Sequence, residues 1–164
     1  MELLLVRHAI ACERDPRRWP DDGERPLSSR GMARARKAAA GLKRLTPPPA
    51  RVLTSPLLRT RQTAQILAQV AGWPRATPAP QLLPGTAPEE FLALVSRLKV
   101  ARIAAVGHEP DLGDLLAACL GGTAHTGFAF RKMGVALVSF HGTVRGGRGR
   151  LEWFLPPRLL RAAR

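Results

Sequence analysis

The chain has 164 residues, of which 45% are apolar, and its 26 Lys and Arg residues against 12 Asp and Glu give a formal net charge of +14. This composition excludes a disordered polypeptide, and the length suits a single domain over residues 1–164. No apolar run approaches the ~20 residues that a membrane-spanning helix needs, and the apolar start MELLLV is too short for a secretion signal. We therefore expect a cytoplasmic protein without membrane association.

The excess of positive charge predicts an anionic partner, which leaves open nucleic acid, a phosphorylated protein or a small phosphate ester. Arg far outnumbers Lys, and this bias also follows from GC-rich coding, so the charge alone does not choose a partner. The scattered Trp19, Trp73 and Trp153 favour packing over base stacking, which argues against nucleic acid. Cys12 and Cys119 form neither a CxxC pair nor a Cys/His cluster, so we expect no disulfide framework and no zinc site.

Short apolar runs alternate with longer helical patterns, which is typical of an α/β domain with a mainly parallel sheet. Residues 2–7 predict a buried strand, and the long charged loop over residues 10–25 is a candidate binding loop. Ser28 or Ser29 can cap the next helix, which the prolines from Pro47 onwards end. The predicted inward face of this helix consists of Met32, Ala35, Ala39, Leu42 and Leu45.

The middle of the chain predicts a second strand at residues 51–55, and Pro56 then opens a helix that runs to Ala71. Thr86 and Glu89 have the spacing of a capping box at the start of a further amphipathic helix. The remaining predicted elements are a third core strand at residues 102–106, a helix through residues 112–119, and a closing hairpin of residues 134–140 and 151–155.

Three polar features follow predicted strands. Arg7 and His8 stand where the first strand ends, Arg59 lies in the first turn of the helix after the second strand, and His108 follows the third core strand. In open α/β sheets ligands bind at the carboxyl ends of the strands, so these side chains are expected to line one crevice. Two helix N-termini would add amide donors there, which favours an anion.

The residue types in this crevice suit phosphoryl transfer. Arginine binds phosphoryl oxygens through two parallel hydrogen bonds and stays charged, which Arg7 and Arg59 can supply. A neutral imidazole is a competent nucleophile, which favours His8, and His108 can stabilise the transferring group. Each feature alone is also compatible with an ordinary surface residue. No carboxylate or Cys/His cluster has metal-ligand spacing, so we expect a mechanism without metal or cofactor.

The segments LLLVRHA, SPLLRTRQTA and VGHEPDL resemble the three signatures of the histidine phosphatase superfamily, which includes the phosphoglycerate mutases. RHAIA, the DxxRPLSxRG pattern from Asp22 to Gly31 and the closing LEWFLPPRLL resemble the short SixA-type phosphohistidine phosphatases. The resemblance implies a three-layer α/β/α sandwich. It also implies that His8 becomes transiently phosphorylated, that Arg7 and Arg59 clamp the phosphoryl group, and that His108 is the second pocket histidine.

Two departures from the superfamily pattern bear on substrate. Many members carry a polar residue shortly after the Arg-His pair and a helical insertion over the substrate, whereas this chain has Ala9-Ile10-Ala11 and little room for an insertion. We therefore expect a shallow, open pocket that accepts phosphohistidine of a partner protein. The alternatives are a phosphatase for a small phosphate ester, such as a sugar phosphate or nucleotide, and a non-catalytic phosphate- or nucleic-acid-binding module.

The general acid has more than one candidate. Glu109 stands where the acid-phosphatase branch of the superfamily places its proton donor, and Asp22 in the loop is an alternative. Glu109 is equally compatible with a first-turn carboxylate that complements a helix dipole. The imidazole leaving group of phosphohistidine is readily protonated near neutral pH, so it needs less help from an acid than an alkoxide does. His125 and His141 have no residues at ligand spacing nearby.

Overall fold

A mixed β-sheet runs through the centre of the protein in the computed structural model, which describes residues 1–122 and 127–163. His125 lies outside the described residues. The strands are β1 (Glu2–Arg7), β2 (Arg51–Thr54), β3 (Thr77–Pro78), β4 (Arg102–Gly107), β5 (Val135–Phe140) and β6 (Gly149–Leu155). The α-helices are α1 (Ser29–Leu45), α2 (Leu58–Ala71), α3 (Pro88–Arg97), α4 (Asp111–Leu120) and α5 (Pro157–Ala162).

The strand order in the sheet is β3-β2-β4-β1-β5-β6. β1 to β4 are parallel to one another, whereas β5 is antiparallel to β1 and pairs with β6 in a hairpin. Alternate β1 residues face opposite sides: Leu4 and Val6 pack with α1, α2 and α5, and Leu3 and Leu5 pack with α3 and α4. The predicted three-layer α/β/α sandwich is therefore confirmed.

The sheet register brings the ends of three strands together. Arg7 of β1 pairs with Gly107 of β4, and Thr54 of β2 pairs with Val106. The residues that follow these strands, His8, His108 and Ser55, therefore emerge at one edge of the sheet. This is the arrangement that the sequence predicted for the candidate site.

The inward face of α1 is narrower than predicted. Ala35, Ala39 and Leu42 are buried, but Met32 is 36% exposed and Leu45 is 48% exposed. Met32 lies near the N-terminus of α1 and Leu45 is its last residue, so both lie toward the ends of the helix rather than over the centre of the sheet. The predicted Ser28 cap is present, since its side chain accepts a hydrogen bond from the Gly31 amide.

The capping box predicted at Thr86 and Glu89 is absent. Helix α3 begins one residue later than the box requires, with Ala87 at the N-cap and Pro88 in the first position. Glu89 therefore occupies the second helical position, from which its side chain cannot complete the box. The sequence analysis also missed two short elements, the two-residue strand β3 and helix α5.

Helix α5 packs directly on the backbone of α1. A Cβ atom at Gly41 would lie 1.7 Å from the Leu160 carbonyl oxygen, so only glycine permits this approach. Leu160 is fully buried, whereas its neighbours Arg158 and Arg161 are exposed. Among the described residues, no helix is both long and apolar enough to cross a membrane.

Candidate active site

β1 delivers the Arg7-His8 pair to the edge of the sheet. Arg7 is the last residue of β1, and the amide of His8 donates to the Gly107 carbonyl at 3.0 Å. The Arg7 amide donates to the Gly134 carbonyl at 3.1 Å, and the Arg7 carbonyl accepts from the Met133 amide at 3.2 Å. These bonds fix Arg7 and His8 between β4 and the turn that precedes β5.

The His8 imidazole is buried and held in one orientation. Its Nδ1 lies 2.7 Å from the Ala9 carbonyl oxygen, which can only accept, so Nδ1 carries the proton and Nε2 keeps its lone pair. Nε2 lies 3.3 Å from the Lys132 ammonium group. Burial lowers the pKa of His8 to about 2, with further contributions from Lys132 and His108. The imidazole is therefore neutral at pH 7, as nucleophilic attack requires.

The His108 imidazole lies beside that of His8, with ring centroids 5.2 Å apart. Its Nε2 is 2.9 Å from the Ser55 hydroxyl oxygen at the end of β2. Burial, together with the charges of Arg59 and Lys132, lowers the pKa of His108 to about 3. Both imidazoles are only 3% exposed. The histidines themselves are thus less open to solvent than the predicted shallow pocket implied.

Arg59 enters the site from the first turn of α2. Its guanidinium group is largely buried, and Nη1 donates to the Asp22 carbonyl at 2.9 Å and lies 3.2 Å from the Asp22 carboxylate. No side chain caps the N-terminus of α2, where Leu57 holds the N-cap position. Within this first turn the Thr60 amide donates to the Leu57 carbonyl at 3.1 Å.

Asp22 belongs to the charged loop and forms ion pairs with three arginines, Arg14, Arg25 and Arg59. Its carboxylate accepts from Arg25 Nε at 2.8 Å and contacts Arg59 at 3.2 Å. The hydrogen bond from Arg25 lowers the pKa of Asp22, and the charges of Arg25 and Arg59 add to this effect. A carboxyl group held ionised in this way positions cations and is a poor proton donor. The structure therefore disfavours Asp22 as the general acid.

Glu109 is the better placed of the two acid candidates. Its Oε1 accepts a hydrogen bond from the Phe130 amide at 3.0 Å, and the Phe130 carbonyl accepts one from Arg7 at 2.5 Å. The carboxyl group is half-buried, and burial raises its pKa. A raised pKa is what a carboxyl group needs to hold a proton for a leaving group.

Lys132 was missed by the sequence analysis. It lies in a tight turn in which the Gly134 amide donates to the Arg131 carbonyl at 2.6 Å and Met133 has a φ of +66°. This turn bonds to Arg7 on both sides and so presents the Lys132 ammonium to His8. Burial lowers the pKa of Lys132 to about 8. No motif marks this lysine, because the contact joins residues 124 positions apart in the chain.

Several buried donors in the site have no acceptor within the described residues. They are Nε of Arg7, Nε of Arg59 and, in the tautomer whose Nε2 accepts from Ser55, Nδ1 of His108. Burial lowers the pKa of both guanidinium groups. Buried donors without partners are costly, and an oxyanion is an acceptor that can satisfy such donors. An arrangement of this kind can bind the oxygens of a phosphoryl group.

A large groove adjoins this site. Its volume is about 680 Å³, and it shares Arg7 and Lys132 with the candidate site. The remaining cations on its walls come from α1, from the turn before β5 and from α5. We call it the basic groove, and its charged lining residues are Arg7, Arg34, Arg131, Lys132, Arg158 and Arg161.

The tryptophans and His141, for which the sequence predicts no catalytic role, lie in the core or on the surface. Trp73 is buried in the core, and Trp153 packs against the same core cluster. Trp19 stacks with Arg18, whose guanidinium carbon lies 4.8 Å from the centre of the Trp19 ring. His141 is exposed. Within residues 1–122 and 127–163, no group of three or more His, Cys, Asp or Glu side chains could hold a metal ion.

Comparison with known proteins places the chain in a family. Residues 3–82 match the model of the histidine phosphatase superfamily (branch 1). An uncharacterized protein of Picosynechococcus sp. is 41% identical over 133 residues, which cover 76% of this chain and 77% of that protein. The chain belongs to the histidine phosphatase superfamily.

Solved structures agree with this assignment. The protein histidine phosphatase SixA in complex with tungstate matches with a TM-score of 0.85 and 28% identity, over 98% of this chain and 99% of that one. The α-ribazole phosphatase of Shigella flexneri matches with a TM-score of 0.69 and 18% identity, over 90% of this chain and 96% of that one. The second likeness concerns the fold alone.

Proposed function

We propose that this protein is a phosphatase that removes the phosphoryl group from a phosphohistidine residue of a partner protein. The observation that carries the proposal is the orientation of His8, whose Nδ1 is bound to a carbonyl while Nε2 faces a cluster of cations. The likeness to SixA, a protein histidine phosphatase, supports the substrate class. SixA was solved with tungstate, a tetrahedral oxyanion like phosphate.

The reaction has two transfers. Nε2 of neutral His8 attacks phosphorus, and a new P–N bond forms as the bond to the substrate imidazole breaks. That imidazole leaves with the electron pair and takes up a proton. Water then attacks the phosphoryl group on His8, which releases inorganic phosphate and returns the electron pair to Nε2.

The surrounding charges stabilise both transfers. Arg7 and Arg59 each have an unpartnered Nε–H within the described structure, and these donors can bind the equatorial oxygens of the phosphoryl group. Lys132 can move from Nε2 of His8 to a phosphoryl oxygen once phosphorus approaches. If the Ser55 hydroxyl donates to Nε2 of His108, then Nδ1–H of His108 is a further donor.

A small phosphate ester is the second candidate substrate, and the raised pKa of Glu109 favours it. An alkoxide leaving group needs a proton in the transition state, and a half-buried carboxyl group can supply one. Phosphohistidine does not need this help to the same extent, because its imidazole leaving group is protonated near neutral pH. The two substrates therefore make different demands on Glu109.

Four measurements test the proposal. The rates at which the His8→Ala and Glu109→Gln variants hydrolyse a phosphohistidine protein and an alkyl phosphate ester are measured, with a chelator present throughout. His8→Ala should abolish both activities, whereas Glu109→Gln should slow the ester by ~10²-fold or more and phosphohistidine by only a few-fold. The glutamine keeps the oxygen that accepts from the Phe130 amide.

Glu90→Gln is the matched control, because Glu90 is an exposed carboxylate of α3. It should leave both activities unchanged. Hydrolysis of the ester with none of phosphohistidine would overturn the proposed substrate but keep the His8 mechanism. Activity that disappears with the chelator and returns with Mg²⁺ or Zn²⁺ would overturn the metal-independent mechanism that we expect.

A further inference from the structure

We propose that the basic groove is a docking surface for an acidic segment of the phosphorylated partner protein, an inference that rests on the proposed function. The groove begins at Arg7 and Lys132, beside the nucleophile, and extends over a volume of about 680 Å³. This volume is in the range of sites that enclose ligands of tens of atoms, far larger than a phosphoryl group. A partner whose phosphohistidine reaches His8 would lay its neighbouring residues in this groove.

The fraction of basic residues is higher in the lining of the groove than in the sequence as a whole. Six of its eleven lining residues are Arg or Lys, and none is Asp or Glu. In the whole sequence Lys and Arg account for only 26 of 164 residues. A basic composition spread evenly over the surface would not produce this concentration, so the groove selects for negative charge in its occupant.

Four of these cations lie outside the phosphoryl site and have no acidic partner among the described residues. Arg34, Arg131, Arg158 and Arg161 are all exposed, and none of them forms an ion pair with a described residue. They come from three separate elements, namely α1, the turn before β5, and α5. Helix α5 is held against α1 at Gly41, so its two arginines have a fixed place in the groove wall.

The composition of the groove favours an acidic protein over a nucleic acid. Grooves that bind single-stranded nucleic acid combine cations with aromatic side chains on which bases stack. Within the part of the chain that the structure describes, no residue that lines this groove is aromatic. Its uncharged walls include the aliphatic Ile10, Met133 and Pro156, which can pack against the aliphatic parts of a peptide.

The test uses two peptides that carry the same phosphohistidine, one flanked by Asp and Glu and the other by Ser and Ala. The wild-type protein should hydrolyse the acidic peptide with a kcat/KM about tenfold higher at low salt, and the preference should shrink as salt screens the charges. Arg158→Glu combined with Arg161→Glu should remove the preference. The same double variant should hydrolyse a small aryl phosphate at the wild-type rate.

Arg145→Glu combined with Arg148→Glu is the matched control. Both residues are exposed in the β5–β6 connection, at the opposite edge of the sheet, and the change in net charge is identical. The control should keep the preference for the acidic peptide. Loss of the preference in both double variants would show that the net charge of the protein alone determines the preference, and it would contradict the proposal of a docking surface.

A competition arm keeps the inference separate from the proposed function. If neither phosphohistidine peptide is hydrolysed but the aryl phosphate is, the substrate assignment has failed. The unphosphorylated acidic peptide should still inhibit aryl phosphate hydrolysis by the wild type and not by the α5 double variant, because it would occupy the groove at Arg7 and Lys132. Absence of inhibition, or stronger inhibition by a single-stranded oligonucleotide, would overturn the acidic-segment proposal.

Discussion

The ammonium group of Lys132 lies 3.3 Å from the nitrogen of His8 that we propose to be phosphorylated. A cation at this position disfavours the protonated imidazole and can later bind an oxygen of the transferred group. Arg7, Arg25 and Arg59 face the same ammonium group, and their charges add to the effect of burial in lowering the pKa of Lys132. The lysine is therefore the cation in the site that can lose its charge in the working pH range.

Replacing Lys132 tests this role. Lys132→Met should lower kcat by ~10²-fold, the usual cost of removing a donor to a developing oxyanion, while Lys132→Arg should retain more activity because it keeps the charge. In the wild type, kcat/KM should fall as the pH rises through about 8, because Lys132 of the substrate-free enzyme loses its proton there. This decline should be missing in Lys132→Met. A methionine variant with a normal rate and a normal pH profile would contradict the assignment.

The individual site residues differ in how far the sequence could reveal them. Arg7, His8, Arg59 and His108 each follow a strand or open a helix, so strand-end rules and the family motifs both point to them, and the structure brings them together. Lys132 occupies an irregular turn, and its place depends on backbone hydrogen bonds from that turn to Arg7. Patterns of local sequence carry no information about such a long-range contact.

A buried hydroxyl group, that of Thr63, joins the end of β1 to α2 by hydrogen bonds. Thr63 Oγ1 accepts from the Ala9 amide at 3.0 Å and lies 2.7 Å from the Arg59 carbonyl, to which it donates. It therefore ties the residue after His8 to the helix that carries Arg59. All of these groups are buried, so nothing from solvent can replace the bonds.

The substitution Thr63→Val tests the contribution of these hydrogen bonds to stability and catalysis. The isosteric substitution leaves the buried Ala9 amide without an acceptor, which should lower the free energy of unfolding by about 1–3 kcal/mol. It should also lower kcat, because His8 and Arg59 lose their common support. Thr63→Ser keeps the hydroxyl and is the control. Urea unfolding and steady-state kinetics would measure both effects, and equal behaviour of the two variants would contradict the hydroxyl's role.

The elements that the sequence predicted are those with strong periodic or capping signals. Helix α1 has an N-cap serine, and α2 ends at Gly72 with a left-handed φ of +73°, as its sequence indicates. The errors have a common cause. The strand β3 spans two residues and α5 spans six, so neither is long enough to show a period, and tertiary contacts such as that of α5 with Gly41 determine both elements.

For the molecule as a whole, the two buried imidazoles link stability to pH. The pKa values of His8 and His108 are lowered by burial to about 2 and about 3, far below the ordinary value of 6.5. Below pH 6.5 the unfolded chain therefore binds two protons that the folded chain does not. The stability associated with these groups is fully present above pH 6.5 and is lost as the pH falls.

Unfolding measurements between pH 7 and pH 5 test this linkage. As the pH drops below 6, the free energy of unfolding should fall by up to ~2.7 kcal/mol per pH unit, which is ~1.4 kcal/mol for each proton. The double variant His8→Asn with His108→Asn should show a flatter dependence over the same range. The buffer must contain no phosphate, because an anion bound to the folded state would add its own stabilisation. Parallel pH profiles for the two proteins would contradict the prediction.

The antiparallel direction of β5 gives its two ends different neighbours. The chain enters β5 through the turn that carries Lys132, and it leaves β5 next to Met1, whose carbonyl accepts from the Phe140 amide at 2.8 Å. Six strand residues separate these ends, which is a distance of about 20 Å. Changes in the loop that follows Phe140 are therefore far from His8 and do not contact it.

It follows that the β5–β6 connection is the place to lengthen, label or tether this protein. A flexible insertion at the exposed Gly142, even a fused reporter domain, should leave the rate of phosphoryl transfer unchanged. The same insertion between Arg131 and Lys132 should abolish it. Immobilised through the hairpin, the protein would present its catalytic edge outward, toward a macromolecule arriving from solution.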